Sequence, residues 1–177
     1  MESDIKKYID NLFVIRHGSY SMRDYPECKL SERGILQMER LGKAMKEILN
    51  DENVTILTTT ATRGMESVNV LKDFVNIKIV GLPFLYSDRL KESYGFCEEP
   101  DKKMINILKD VSKSSRNIGI LSHFELLENF PAFFSESVLG KPFDGNYKNT
   151  IGKAAYFDIK NSRYQILPDV YSGTMNI

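Results

Sequence analysis

Short runs of consecutive apolar residues alternate along this chain with longer stretches where apolar residues recur every three or four positions. Leu12-Phe13-Val14-Ile15 is the first run and predicts a strand over 11–16. Val54-Thr55-Ile56-Leu57-Thr58, Ile77-Lys78-Ile79-Val80 and Ile118-Gly119-Ile120-Leu121 repeat the pattern. Such runs suit strands buried on both faces of a parallel sheet. Between them, Ile35, Met38, Leu41, Met45 and Ile48 predict an amphipathic helix over about 32–49. Ser31 is its N-cap, although Gly34 stands where a capping box has Glu. Met65, Val68, Leu71 and Phe74/Val75 predict a second helix over about 61–75. Residues 101–114 suit a third, and 124–138 a fourth whose regularity Pro131 limits.

Residues 19–30 and 141–150 read as loops. Residues 81–100, with Gly81, Pro83, Gly95 and Pro100, read as a long irregular excursion, ordered by Phe84, Tyr86, Tyr94 and Phe96. Ala154 to Ile159 and Arg163 to Leu167 form a terminal strand pair, expected as an antiparallel edge. Strands alternating with helices imply an α/β fold: a mainly parallel central sheet covered on both faces, a three-layer αβα sandwich. No repeat, low-complexity tract or linker divides the chain, so residues 1–177 read as one domain.

Composition narrows the partners. Lys+Arg and Asp+Glu both total 24, and zero net charge removes the electrostatic argument for a nucleic acid or an acidic membrane surface. No segment approaches the ~20 apolar residues of a membrane span. The charged start, Met1 to Lys7, is not followed by a signal-peptide core. Cys28 and Cys97 stand in no CxxC spacing and read as reduced thiols, so the expectation is a cytoplasmic protein. Two histidines and no cysteine cluster argue against a tetrahedral zinc site, and no metal or cofactor is expected.

The chemistry concentrates where strands end. Arg16-His17-Gly18 closes the first run; His123 follows the Ile118–Leu121 run with Ser122 between. In open α/β sheets, ligands bind at the carboxyl ends of strands. Imidazole, with an unperturbed pKa of about 6.5, suits nucleophilic and acid–base work near neutrality. Guanidinium is permanently charged and matches phosphate oxygens in a planar fork. Phosphoryl transfer rests mostly on positioning and charge neutralisation. Arg16 beside His17 is therefore a candidate anion clamp with its nucleophile, and Gly18 permits close backbone approach.

Five stretches then resemble, in order, the histidine phosphatase superfamily, also called phosphoglycerate mutase-like. Leu12 to Gly18 resembles its first strand and nucleophile motif. Leu30-Ser31-Glu32-Arg33-Gly34-Ile35-Leu36-Gln37 resembles its L-[ST]-x-x-G-x-x-Q segment. Thr58 to Arg63 resembles the turn that brings a second arginine. Arg89-Leu90-Lys91-Glu92 with Tyr94-Gly95 resembles the segment carrying an acid. Ile120-Leu121-Ser122-His123 resembles the second histidine motif.

The resemblance implies a metal-independent phosphatase. His17 attacks phosphorus and becomes a phosphohistidine. Arg16, Arg63 and His123 surround the phosphoryl oxygens. Glu92 protonates the leaving oxygen and then activates water. Asp88, Glu98 and Glu99 compete with Glu92 for that role. Arg23 is a further candidate anion ligand, and Ser19 and Ser122 are candidates for bonding phosphate, orienting the histidines or shaping turns. An arginine at the start of a helix, as at Arg63, opposes the helix dipole and is better explained by an anionic ligand.

Phe124 replaces the glycine that often follows the second histidine, which suggests an apolar contact for the substrate. The stretch after Gly95 lacks the basic cluster of the mutases; Lys102 and Lys103 read as helix surface. These departures favour hydrolysis of a small phosphomonoester, or of a phosphoprotein. The alternatives are a phosphoglycerate-type mutase and a catalytically silent phospho-ligand binding module. The aromatic residues Phe130, Phe133, Phe134, Phe143 and Tyr147 are expected in the core, and oligomeric state is not legible.

Overall fold

The structure is a computed structural model that describes residues 5–85, 100–123, 127–143 and 151–168. Strands β1 (Asn11–Arg16), β2 (Val54–Thr58), β3 (Ile77–Gly81), β4 (Asn117–Ser122), β5 (Ala154–Asp158) and β6 (Arg163–Leu167) form one sheet in the order β3-β2-β4-β1-β5-β6. The first four run parallel; β5 and β6 are antiparallel, as the terminal pair predicts. Helices α1 (Ile5–Tyr8), α2 (Glu32–Leu49), α3 (Thr62–Leu71), α4 (Pro100–Val111) and α5 (Phe130–Phe134) cover the sheet, and α5 runs on into a π-helical turn over Ser135–Leu139.

Alternation along the strands sends neighbouring side chains to opposite layers. Leu12 and Val14 of β1 join Ile118 and Ile120 of β4 against Ile5, Met104, Leu108, Phe130 and Phe134. Phe13 and Ile15 face the other way, onto Met38, Leu41 and Met45 of α2 and Val68 and Leu71 of α3. This is the three-layer αβα sandwich. Phe130 and Phe134 are fully enclosed, and Phe133 and Phe143 pack against the same cluster; Tyr147 lies outside the described residues.

Three elements differ from the sequence reading. Helix α1 was not predicted, because a single turn offers no repeat; Ile5 and the following Ile9 anchor it. Helix α3 ends at Leu71 rather than near Val75, and turns over Lys72–Phe74 bring Val75 back to the core. In the 124–138 segment a helix begins at Phe130 with Pro131 in its first turn, where the missing N–H costs nothing. Its π-helical turn ends at Gly140, whose φ of 70° is the left-handed C-cap geometry. Among the described residues no helix is long and apolar enough to cross a membrane.

Candidate active site

Parallel pairing brings the two histidines together. Arg16 of β1 stands opposite Ser122 of β4, so His17 and His123 each lie one residue past a shared pair. The His17 N–H donates to the Ser122 carbonyl at 3.4 Å. The imidazole centroids are 4.9 Å apart at 61°, and the side chains are only 3% and 2% exposed. On the other side of β4, the Thr59 N–H donates to the Leu121 carbonyl at 3.0 Å, and α3 then starts at Thr62. Arg63 thereby sits in the first turn of a helix that follows this pairing. Arg16 is half-buried at the end of β1, adjoining His17.

Hydrogen bonds define one tautomer for each ring, because a carbonyl only accepts and a guanidinium only donates. The Nδ1–H of His17 donates to the Gly18 carbonyl at 2.8 Å. Its Nε2 therefore carries the lone pair, which accepts from Nε of Arg63 at 3.3 Å. Nη2 of the same arginine donates to Nδ1 of His123 at 3.1 Å. The Nε2–H of His123 then donates to Oγ1 of Thr59 at 3.0 Å, an oxygen that also accepts the Ala61 N–H. One guanidinium thus spans both imidazole lone pairs.

Electrostatics keeps both rings neutral. Burial lowers the His17 pKa to about 4; Arg63 and Arg16 push the same way, against the Gly18 carbonyl. Burial, then the neighbouring His17, Arg63 and Arg16, lower that of His123 to about 2. An unfolded imidazole takes up its proton near 6.5, so below that pH the unfolded chain binds more protons than the native one. Stability is thus greatest above the unfolded value and falls as the pH drops toward the folded ones. Lowering the pH from about 6.5 to about 5.5 is expected to remove about 2 kcal/mol through the two histidines together. Urea unfolding at the two pH values measures this, and His123→Asn halves the difference. Equal stabilities would contradict the neutral pair.

The backbone around His17 is clamped from three sides. The Gly18 N–H donates to Oγ of Ser67 at 3.1 Å, and that hydroxyl donates to the Arg63 carbonyl at 2.7 Å. The Gly152 N–H is shared between the Arg16 and His17 carbonyls at 3.2 and 3.0 Å. Ser19 gives its N–H to Oε1 of Gln37 at 2.9 Å, and its carbonyl accepts both the N–H and the hydroxyl of Ser31. Ser31 also caps α2 by accepting from the Gly34 N–H at 3.2 Å. A Cβ on Gly18 would stand 2.6 Å from the Gly34 carbonyl oxygen, so the two glycines permit the crossing.

The structure brings together His17, His123, Arg63 and the neighbouring Arg16. Arg23 is exposed, on a 3-10 turn over Met22–Asp24. Ser122 gives its hydroxyl to the Leu85 carbonyl at 2.7 Å and Ser19 acts through its backbone, so both serve local structure. Lys102 and Lys103 are exposed on α4, as expected of helix surface. Glu92, its rivals Asp88, Glu98 and Glu99, and Phe124 lie outside the described residues. Sequence reasoning missed Thr59, Ser67 and Tyr20. Tyr20 stands edge-on to His17, with centroids 5.5 Å apart, and beneath Arg63, whose Cζ is 4.8 Å from its ring centre. Its only sequence signal is an aromatic three residues after a histidine. Among the described residues no three His, Cys, Asp or Glu side chains gather into a metal-holding group.

The fold is a phosphoglycerate mutase-like sandwich, shared with solved phosphatases. The protein histidine phosphatase SixA, complexed with tungstate, is similar at 14% identity and a TM-score of 0.62, over 88% of this chain and 93% of that one. YhfR of Bacillus stearothermophilus is similar at 14% and 0.56, over 89% and 95%. The phosphoserine phosphatase of Entamoeba histolytica, in complex with 3-phosphoglyceric acid, is similar at 13% and 0.52, over 89% and 94%. No protein family matches the sequence, nor does any curated protein.

Proposed function

We propose that this chain is a histidine phosphatase, a phosphoric monoester hydrolase that works through a phosphohistidine on His17. The observation that carries the reading is the tautomer of His17: Nδ1–H is held by the Gly18 carbonyl, and the Nε2 lone pair faces Arg63 and His123. A neutral ring whose Nε2 carries a lone pair rather than a proton is the form a nucleophile needs. The pKa of about 4 keeps it in that form at neutral pH.

In the first step the Nε2 lone pair forms a bond to phosphorus while the bond to the leaving oxygen breaks. Arg63 turns its N–H groups from the imidazoles to the phosphoryl oxygens, which Arg16 and the exposed Arg23 also bind; His123, released by Arg63, takes its other neutral tautomer, donating Nδ1–H to a phosphoryl oxygen while Nε2 accepts the Thr59 hydroxyl. Glu92 gives its proton to the leaving alcohol. In the second step water attacks phosphorus and yields its proton to Glu92. The P–N bond breaks, releasing phosphate and neutral His17. The arginines supply the positive charge, so the proposed route calls for no cofactor.

The substrate class we favour is a small phosphomonoester. A phosphorylated protein is the second, on the likeness to SixA, a protein histidine phosphatase. The buried free thiol of Cys28 suits a reducing compartment, and we place the enzyme in the cytoplasm as one domain. A panel of labelled phosphomonoesters and phosphoproteins, quenched within a turnover, tests the reading. The expected result is acid-labile phosphate on the protein and free phosphate in solution. Label that moves only to another hydroxyl of the substrate identifies a mutase. Tight binding with neither label nor phosphate identifies a silent binding module.

A further inference from the structure

We propose that Tyr20 is a positioning residue for Arg63: the face of its ring holds the guanidinium over the two imidazoles before and during phosphoryl transfer. For its effect on turnover this inference rests on the phosphatase reading; the hold on Arg63 does not depend on it.

Arg63 occupies a position that ordinary forces disfavour. A cation in the first turn of α3 opposes the helix dipole. Among the described residues no ion pair holds it. Its polar contacts are N–H donations to Nε2 of His17 and Nδ1 of His123. Both are given up in the proposed reaction, because Nε2 cannot bond to phosphorus while its lone pair accepts a hydrogen bond, and the N–H groups turn to the phosphoryl oxygens. The contact that survives the exchange is the aromatic face of Tyr20 beneath Cζ, at 4.8 Å. Ring quadrupoles attract guanidinium groups at such distances, more strongly when water is excluded.

Tyr20 is itself fixed to the element it serves. It pairs with Leu30 in an isolated antiparallel bridge. The Leu30 N–H donates to the carboxylate of Glu66 at 2.6 Å, and Glu66 lies on α3, one residue short of a turn beyond Arg63. Ring, bridge and helix thus form a closed circuit with Arg63 inside it. The ring edge also meets His17, with centroids 5.5 Å apart.

Two variants and two measurements test the inference. Tyr20→Leu keeps apolar bulk and removes the quadrupole; Tyr20→Phe keeps the ring. By NMR of the unliganded protein, the Nε–H of Arg63 is expected as a protected, ring-shifted resonance in wild type and Tyr20→Phe, and is expected to lose both properties in Tyr20→Leu. In turnover, Tyr20→Leu is expected to lower kcat about tenfold with a smaller change in KM, and Tyr20→Phe to recover most of that loss. In an Arg63→Ala background the leucine substitution is expected to add almost nothing, since its effect passes through the missing guanidinium. An unchanged Arg63 resonance in Tyr20→Leu overturns the inference, as does an equal tenfold loss with Arg63 absent. A wild type that shows the resonance pattern but forms no phosphoenzyme overturns the phosphatase reading and leaves the hold on Arg63 standing.

Discussion

His17→Ala is expected to abolish the acid-labile phosphoenzyme and to lower turnover about 10,000-fold or more, the loss seen when a covalent nucleophile is removed. Among the described residues no nearby group substitutes for it. His123 presents Nδ1 to Arg63 and has its Nε2–H committed to Thr59, and its much lower basicity makes it the poorer nucleophile. His123→Ala therefore makes the instructive contrast: label still appears on His17, while the rate falls because one phosphoryl-oxygen partner is gone. Rapid-quench labelling of the three proteins with one accepted substrate decides the matter. Label that persists in His17→Ala would sink the assignment. Circular dichroism and thermal unfolding guard against a folding artefact, since His17 is a buried side chain.

Gly34→Ala is expected to cost about 3 kcal/mol or more, although alanine is the better helix former. Gly34 lies in the first turn of α2, where a Cβ would drive into the Ser19 carbonyl oxygen, with the Ser19 carbonyl carbon and nitrogen 2.9 Å away. Those atoms are backbone, so nothing swings aside. Either the start of α2 moves or the segment after His17 moves, and the second displaces the nucleophile. For a chain of this size the loss corresponds to a fall in Tm of roughly 6–12 °C. Gly81→Ala is the control. Its Cβ would find only the Thr60 methyl, at 3.7 Å, and a change within about 0.5 kcal/mol is expected. Equal denaturant midpoints for Gly34→Ala and wild type would show that the crossing is not tight.

Much of this architecture is legible in the chain because its strands are buried on both faces. Val54–Thr58 and Asn117–Ser122 are enclosed along their whole lengths, so each appears as a largely apolar run ended by a polar residue, with Thr55 the one polar position inside the first. Helix α2 is legible for the complementary reason: five turns of periodic burial leave a pattern that chance rarely imitates. Helix α1 is not, since four residues show no period. The arginine–histidine part of the site is legible as residues that follow strands. The partners that orient them are not. Thr59 stands in a run of three threonines, and only the fold selects the one that meets His123. Ser67 acts through a side chain 49 residues from its partner. The Tyr20–Arg63 contact joins the loop after β1 to the first turn of α3, 43 residues further along the chain, and no local pattern announces it.

The pairing of β1 with β4 works as a ruler. Neighbouring strands in a sheet lie about 4.8 Å apart, and the imidazole centroids lie 4.9 Å apart. The gap between the two rings is thus one rung of the sheet, measured by main-chain hydrogen bonds that every residue type makes. The side chains of β1 and β4 pack the core above and below the sheet, while the main-chain bonds set that gap. A single inserted residue in either strand moves one histidine by about 3.3 Å and turns it to the opposite face. An insertion in a connection between strands leaves this spacing intact, whereas one inside β1 or β4 does not.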